Sequence, residues 1–149
     1  MTGPFTVRAL SPETWEPYAA LLARHGGAGM GGCWCMWLHN PTMAARKAEA
    51  DAAGGGLAAK RARVESGRAH AAVVFDRDLA VGWCQYGPPA ELTGLAHRRE
   101  IEGSGLPPAD YRLGCFFVDR SYRRSGVASA ALAGALDLVG RSGGGVVEA

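Results

Sequence analysis

The sequence predicts an α/β domain with a mixed, mostly antiparallel sheet and helices on both faces. Three observations lead there. Short segments alternate in the strand manner, as in Phe5 to Leu10, with Phe5, Val7 and Ala9 on one face and Thr6 and Arg8 on the other. Other segments repeat apolar residues at helical spacing, as Trp15, Tyr18, Ala19 and Leu22 do. The two kinds follow one another along 149 residues with no internal repeat and no linker, the size of one domain with its own core (residues 1 to 149).

Each element has a local reason. Ser11-Pro12 reads as an N-cap followed by Pro at the first helical position, and Gly26-Gly27 ends that helix. Asn40-Pro41 or Thr42 opens a second helical stretch, which Gly54-Gly55-Gly56 interrupts before Leu57 to Val64 resumes it. Ala69 to Phe75 and Leu79 to Tyr86 form a hairpin about the turn Asp76-Arg77-Asp78, stopped by Gly87-Pro88-Pro89. Residues 90–110 are polar with Gly and Pro, a long loop with one helical turn. Arg112 to Val118 is a strand whose run Phe116-Phe117-Val118 suits burial on both faces. Ser125 to Arg141 is a small-residue helix with the stripe Val127, Ala131, Leu132, Ala135, Leu136 and Val139, and Val146-Val147 begins another strand.

Composition excludes several function classes. The chain is 48% hydrophobic and 20% charged, which excludes a disordered charged tail. Sixteen basic and 14 acidic residues leave net +2, too balanced to argue for a nucleic-acid partner. Residues 1–10 lack a signal peptide's charged start and apolar stretch, and no apolar run approaches a membrane span. Cys33, Cys35, Cys84 and Cys115 form no disulfide framework and read as reduced thiols of a cytoplasmic protein.

The segment that carries chemistry is Val118-Asp119-Arg120-Ser121-Tyr122-Arg123-Arg124-Ser125-Gly126-Val127-Ala128. A buried strand runs into a basic turn, and the turn enters a helix. Gly126 lets a ligand approach the backbone closely. The unpaired N–H groups of the first helical turn and the positive end of the helix dipole favour an anion. Arg120, Arg123 and Arg124 add charge that forks onto phosphate. The ligand group predicted is a phosphate or pyrophosphate. The segment lacks the Lys-Ser/Thr end of a P-loop and the Gly-x-Gly-x-x-Gly turn of dinucleotide folds. The alternative reading is a plain helix N-terminus with solvated arginines.

Arg123-x-x-Gly126-x-Ala128 resembles the Arg/Gln-x-x-Gly-x-Gly/Ala signature of the GNAT acyltransferase superfamily. The strand ending Cys115-Phe116-Phe117-Val118, the following Tyr122-Arg123, and Val81-Gly82-Trp83 before Gly87-Pro88-Pro89 resemble it too, so the likeness spans Phe5 to Ala149. It implies a GNAT-like acyltransferase fold and an N-acetyltransferase that moves the acetyl group of acetyl-CoA directly to a primary amine, on a small molecule or a protein. By the same resemblance Arg123, Arg124, Ser125, Gly126, Val127 and Ala128 hold the CoA pyrophosphate. The pantetheine arm pairs with the strand around Phe116, Phe117 and Val118, which splays from the strand at Val146, and an amide near Phe117 or Val118 serves the oxyanion.

The acid and base are harder to name. Glu148 is the only carboxylate near the splay, a base directly or through water, or else a surface Glu at a strand end. Tyr111 and Tyr86 read as packing residues, and His39 and His97 as loop residues. Cys33-Trp34-Cys35-Met36-Trp37-Leu38-His39 admits more than one reading. Cys33, Cys35 and His39 offer metal donors, but Cys-x-Cys with no second pair is a poor zinc site, and no metal is expected. Cys115 lies on the CoA strand as a candidate acyl acceptor, but no His stands beside it. The favoured reading is packing, with Trp34 and Trp37 closing one end of the sheet; the resemblance, in which the segment between the first two helices borders the acceptor site, implies that Trp34, Met36 and Trp37 line an apolar acceptor pocket. Lys60, Arg61, Arg63 and Arg68 read as a solvated helix face.

The chain is shorter than a typical GNAT domain by a helix and two strands, and Val146 to Ala149 reads as the start of a core strand. The expectation is a shortened chain, or one whose open sheet edge is completed by a partner, such as a second copy in a homodimer. The alternative function that follows is a CoA-binding or partner-completed module without turnover.

Overall fold

The computed structural model describes residues 4–27, 32–94 and 98–149; His97 lies outside them. The order is β1 (Thr6–Ala9), α1 (Trp15–Arg24), a 3₁₀ turn (Trp37–His39), α2 (Met43–Ala53), α3 (Gly56–Glu65), β2 (His70–Asp76), β3 (Leu79–Gly87), α4 (Arg98–Glu102), β4 (Tyr111–Val118), a second 3₁₀ turn (Arg120–Tyr122), α5 (Val127–Arg141) and β5 (Val147–Glu148).

The punctuation behaves as its chemistry requires, with one shift. Ser11 opens a turn in which its hydroxyl accepts from Glu13 N, and α1 itself starts at Trp15. Thr42 is the N-cap of α2 and accepts from Ala45 N at 3.1 Å. Gly54 and Gly55, with φ of 91° and 131°, break the chain between α2 and α3.

The strands stand in sequence order β1-β2-β3-β4-β5. The first three pairings are antiparallel and β4–β5 is parallel, joined through α5. The β4–β5 contact is short: Tyr111 pairs with Val147 and Arg112 with Glu148. Beyond Arg112, β4 has β3 on one side only. A register shift opposite Gln85 puts a bulge in β4, and the Gln85 side chain fills it, accepting from Cys115 N at 3.2 Å.

Each face of the sheet has its own core. One gathers Trp15, Tyr18, Leu21 and Leu22 of α1 with Cys35, Val64, Val73, Phe75 and Trp83. The other gathers Val127, Ala130, Ala131, Ala135 and Val139 of α5 with Ala72, Val74, Val81, Cys84 and Tyr86. Helices on both faces are thus observed, but three details depart from the sequence reading. Leu132 and Leu136 are exposed, and Ala130 takes a buried place instead. Gly134, Ala131 and Ala135 let α5 approach so closely that a Cβ on Gly134 would strike Val7 of β1, and longer side chains are turned outward. Phe116 is 45% exposed, so β4 is not covered on both faces. Lys60 is fully buried and Arg63 nearly so, so α3 is not a solvated basic face. No helix among the described residues is long and apolar enough to cross a membrane.

Candidate functional site

The loop after β4 is built from its first residue. Asp119 continues the ladder, its N–H donating to Val81 O at 2.8 Å. Its carboxylate then accepts from Ser121 N at 2.9 Å, which starts the 3₁₀ turn. Arg24 donates to the same carboxylate at 3.2 Å, and His25 Nε2 lies 3.3 Å away. Burial pushes this carboxyl up, but the Ser121 amide, His25 and Arg24 outweigh it and hold it below the usual range. Asp119 is therefore an anchored anion that fixes where the turn begins.

The chain then reverses. Arg123 is extended, Arg124 has φ of 62° and Gly126 has φ of 92°. Ser125 turns its hydroxyl back to the Tyr122 carbonyl, away from the loop's hollow. The first helical bond of α5 is Ala130 N to Gly126 O at 3.0 Å, so the N–H groups of Val127, Ala128 and Ser129 precede the intrahelical ladder. A Cβ on Gly126 would meet nothing within 4 Å, so the space over this glycine is open. Val118, Arg123, Arg124, Gly126, Val127 and Ala128 share a hollow of about 270 Å³ with Tyr122 and Ser129. The loop residues singled out in the sequence thus come together, Arg120 and Ser125 excepted.

Strand alternation decides which amides of β4 are available. Asp119 N and Phe117 O both face β3, the latter so close that a Cβ on Gly82 would lie 2.7 Å from it. Phe116 and Val118 therefore turn N–H and C=O to the open edge. The Phe117 amide faces β3, so of the two amides named for the oxyanion only that of Val118 is free. The Phe117 side chain is inward, stacked on Trp83 at 4.7 Å between ring centroids.

On the α1 and α3 side of the sheet lies a polar cluster that the sequence did not reveal. Lys60 Nζ, buried, donates to Cys35 O at 3.0 Å and to His39 Nε2 at 2.9 Å. With Nε2 accepting, the proton of His39 sits on Nδ1, which donates to Glu91 O at 3.1 Å. Burial, then Lys60 and Arg63, push the imidazole down to about 2, so it is neutral. Arg63 forks onto Glu49, Nε to Oε2 at 2.6 Å and Nη2 to Oε1 at 2.8 Å. Those hydrogen bonds, with one from Asn40, hold the Glu49 carboxyl below its ordinary range. A signal existed only in the composition: a chain with two lysines places one of them in its core.

No family model matches the sequence, and no curated protein matches it. Solved structures do. The chain is similar to a ribosomal-protein-alanine N-acetyltransferase from Brucella melitensis biovar Abortus 2308, at 16% identity and a TM-score of 0.52, covering 97% of this chain and 77% of that one. It is likewise similar to a GCN5-related N-acetyltransferase from Ralstonia eutropha JMP134, at 14% identity and a TM-score of 0.52, covering 96% of this chain and 80% of that one. The chain has the GNAT fold. The open-edged β4 and the Gly126 loop are therefore parts of a GNAT sheet and its turn.

Around this GNAT sheet the remaining candidate residues separate. Glu148 sits at the β4–β5 junction and accepts from Arg112 Nε, while Arg112 also donates to Leu92 O at 3.1 Å. Cys115 is half-buried on the α1 face of β4, its thiol pushed up by a hydrogen bond to Cys35 and by burial. Trp34 and Met36 line a cavity of about 540 Å³ with Cys33, Met43 and Arg46. Trp37 borders a separate cavity of about 260 Å³, where the Arg46 guanidinium lies 4.2 Å over its ring. The three acceptor-pocket residues are thus divided between two cavities whose shared wall is Met43 and Arg46. Tyr86 and Tyr111 pack in the α5 core. Among the described residues no group of His, Cys, Asp and Glu is arranged to hold a metal ion.

Proposed function

We propose that the protein is an acetyl-CoA-dependent N-acetyltransferase acting on a primary amine. One observation carries this reading. A strand whose edge is free beyond Arg112 runs through a 3₁₀ turn to a glycine of left-handed conformation, and the unpaired N–H groups of a fifteen-residue helix follow that glycine at once. The Gly126 hollow has the chemistry a pyrophosphate needs: backbone donors, a helix dipole, and Arg123 and Arg124 in its wall. The edge amides of Phe116 and Val118 supply donors in line with that hollow. Bound there, acetyl-CoA would bring its thioester to the gap beside β4.

The residues then position and stabilise more than they react. Val118 N–H is the free donor for the developing oxyanion. Trp34 and Met36, with Arg46 at their rim, form the wall against which the amine's carrier rests. Cys115 holds its proton, which favours direct attack of the amine on the thioester over an acyl-cysteine. The engagement of Glu148 with Arg112 favours a second reading, in which the module holds CoA without turnover.

A thiol-release assay against a panel of small and peptide amines separates the two. Free CoA appearing only when an amine is present supports transfer. Acetyl-CoA binding with no release for any amine supports the holding module instead.

A further inference from the structure

One residue of β4 has no match on β3. Cys84 faces Phe116 and Tyr86 faces Leu113, so Gly114 and Cys115 together stand opposite Gln85. The extra residue decides which groups reach each side of the strand beyond it. Without it, the register of Tyr86 and Leu113 would set Cys84 opposite Cys115 and Gly82 opposite Phe117. Val81 turns its carbonyl to β4, so Gly82 and Cys84 turn theirs to β2, and the residues paired with them turn their amides to the open edge. The bulge therefore puts Phe116 and Val118 at that edge in place of Cys115 and Phe117. The side chains show the same exchange: Tyr111 and Leu113 pack in the α5 core, whereas Cys115 and Phe117 pack in the α1 core.

A bulge leaves an amide without a ladder partner, and here Gln85 supplies one. Its side chain is fully buried, and its Oε1 accepts from Cys115 N at 3.2 Å. Gly114 makes room for it, because a Cβ there would strike the Gln85 carboxamide and come within 3.0 Å of Leu38 Cδ1. A carboxamide can lie either way round, and the partner of its other end decides which. Gln85 Nε2 lies 3.4 Å from His39 Nε2, the ring nitrogen that accepts from Lys60 Nζ at 2.9 Å. That nitrogen carries no proton, so it faces the NH₂ end of Gln85 and leaves the oxygen for Cys115. Lys60 thus fixes the tautomer of His39, His39 fixes the amide of Gln85, and Gln85 fills the bulge.

We propose that Lys60, His39 and Gln85 form a positioning relay for the edge of β4 that takes the pantetheine arm. They hold the bulge, and the bulge presents the amides of Phe116 and Val118 at that edge. The role rests on the reading of this edge as the seat of acetyl-CoA. None of the three touches the coenzyme; each acts through the strand.

The test compares two ligands on one variant by calorimetry. Gln85→Met keeps the length of the side chain and loses both ends of the carboxamide. Adenosine diphosphate carries a diphosphate for the Gly126 loop but no pantetheine arm. The variant should bind acetyl-CoA about tenfold more weakly, the scale of one lost hydrogen-bond partner, and adenosine diphosphate within about twofold of the unsubstituted protein. A general loss of stability would weaken both ligands, so their ratio separates the relay from packing. A second measurement needs no substitution: the imidazole nitrogen resonances of His39 should show Nδ1 protonated and Nε2 bare. The proposal is overturned if Gln85→Met binds acetyl-CoA as tightly as before, if it loses both ligands alike, or if His39 carries its proton on Nε2. Failure of the unsubstituted protein to bind acetyl-CoA would refute the coenzyme reading of the edge itself, and the relay's role with it.

Discussion

The two faces of the sheet are built on different principles. Under α5 the core is small and apolar: alanines and valines meet Val74, Val81 and Tyr86. Under α1 and α3 the core is larger and interrupted by Lys60, Arg63, His39 and Gln85. The first face lets a helix lie close to the sheet and sets the position of its N-terminus at Gly126. The second holds polar groups that each need a partner. A buried cation is kept only where acceptors surround it, so this face is tuned for a specific arrangement and is sensitive to small losses.

The largest effect expected on that contrast comes from Lys60→Ala. It empties the space of the stem and strands the acceptors His39 Nε2 and Cys35 O, at a cost of about 3–5 kcal/mol in denaturant unfolding. A loss under 1 kcal/mol, roughly the worth of one ordinary hydrogen bond, would make the cluster incidental. Gly82→Ala probes the α5 face, since the new Cβ would lie 2.6 Å from Val127 Cγ1 and 2.7 Å from Phe117 O. The carbonyl cannot move aside cheaply, so about 1–3 kcal/mol should be lost.

The pH dependence separates the faces again. His39 is neutral in the folded chain, with its pKa pushed from 6.5 to about 2. The unfolded chain takes up the proton first, so the stabilisation is complete above pH 6.5 and is lost as pH falls from there toward 2. Between pH 7 and 5.5 the loss is about 1 kcal/mol, and His39→Gln should flatten that part of the profile. The smallest effect belongs to the outer side of α5. Leu136→Gln should change stability by no more than about 0.5 kcal/mol, because Leu136 is exposed.

How much of this was legible follows from what each feature depends on. The α1 stripe, the hairpin about Asp76 to Asp78, and the loop from Arg123 to Ala128 were readable, because spacing and turn chemistry are local. The exposure of Leu132 and Leu136 was not, because it depends on how near α5 comes to β1. The exposure of Phe116 was not legible either, because it depends on what packs over its face of β4 and not on the strand's own residues. The burial of Lys60 was hidden most deeply. On α3 it stands beside Arg61 and Arg63 in a polar sequence, and its partners come from residues 35 and 39 of a distant turn. The site divides along the same line. The proposed phosphate loop is one continuous segment, whereas the proposed acceptor side is assembled from separate ones.

The central claim is that the Gly126 loop receives the pyrophosphate of acetyl-CoA, and calorimetric titration of acetyl-CoA into the protein and into Gly126→Val tests it most directly. Gly126 has φ of 92° and open space above it, so a side chain there both strains the turn and fills the ligand's path. The expected result is saturable binding to the unsubstituted protein and its loss in a variant that keeps its far-ultraviolet circular dichroism. No heat at millimolar acetyl-CoA, or equal affinity in the folded variant, would contradict the assignment.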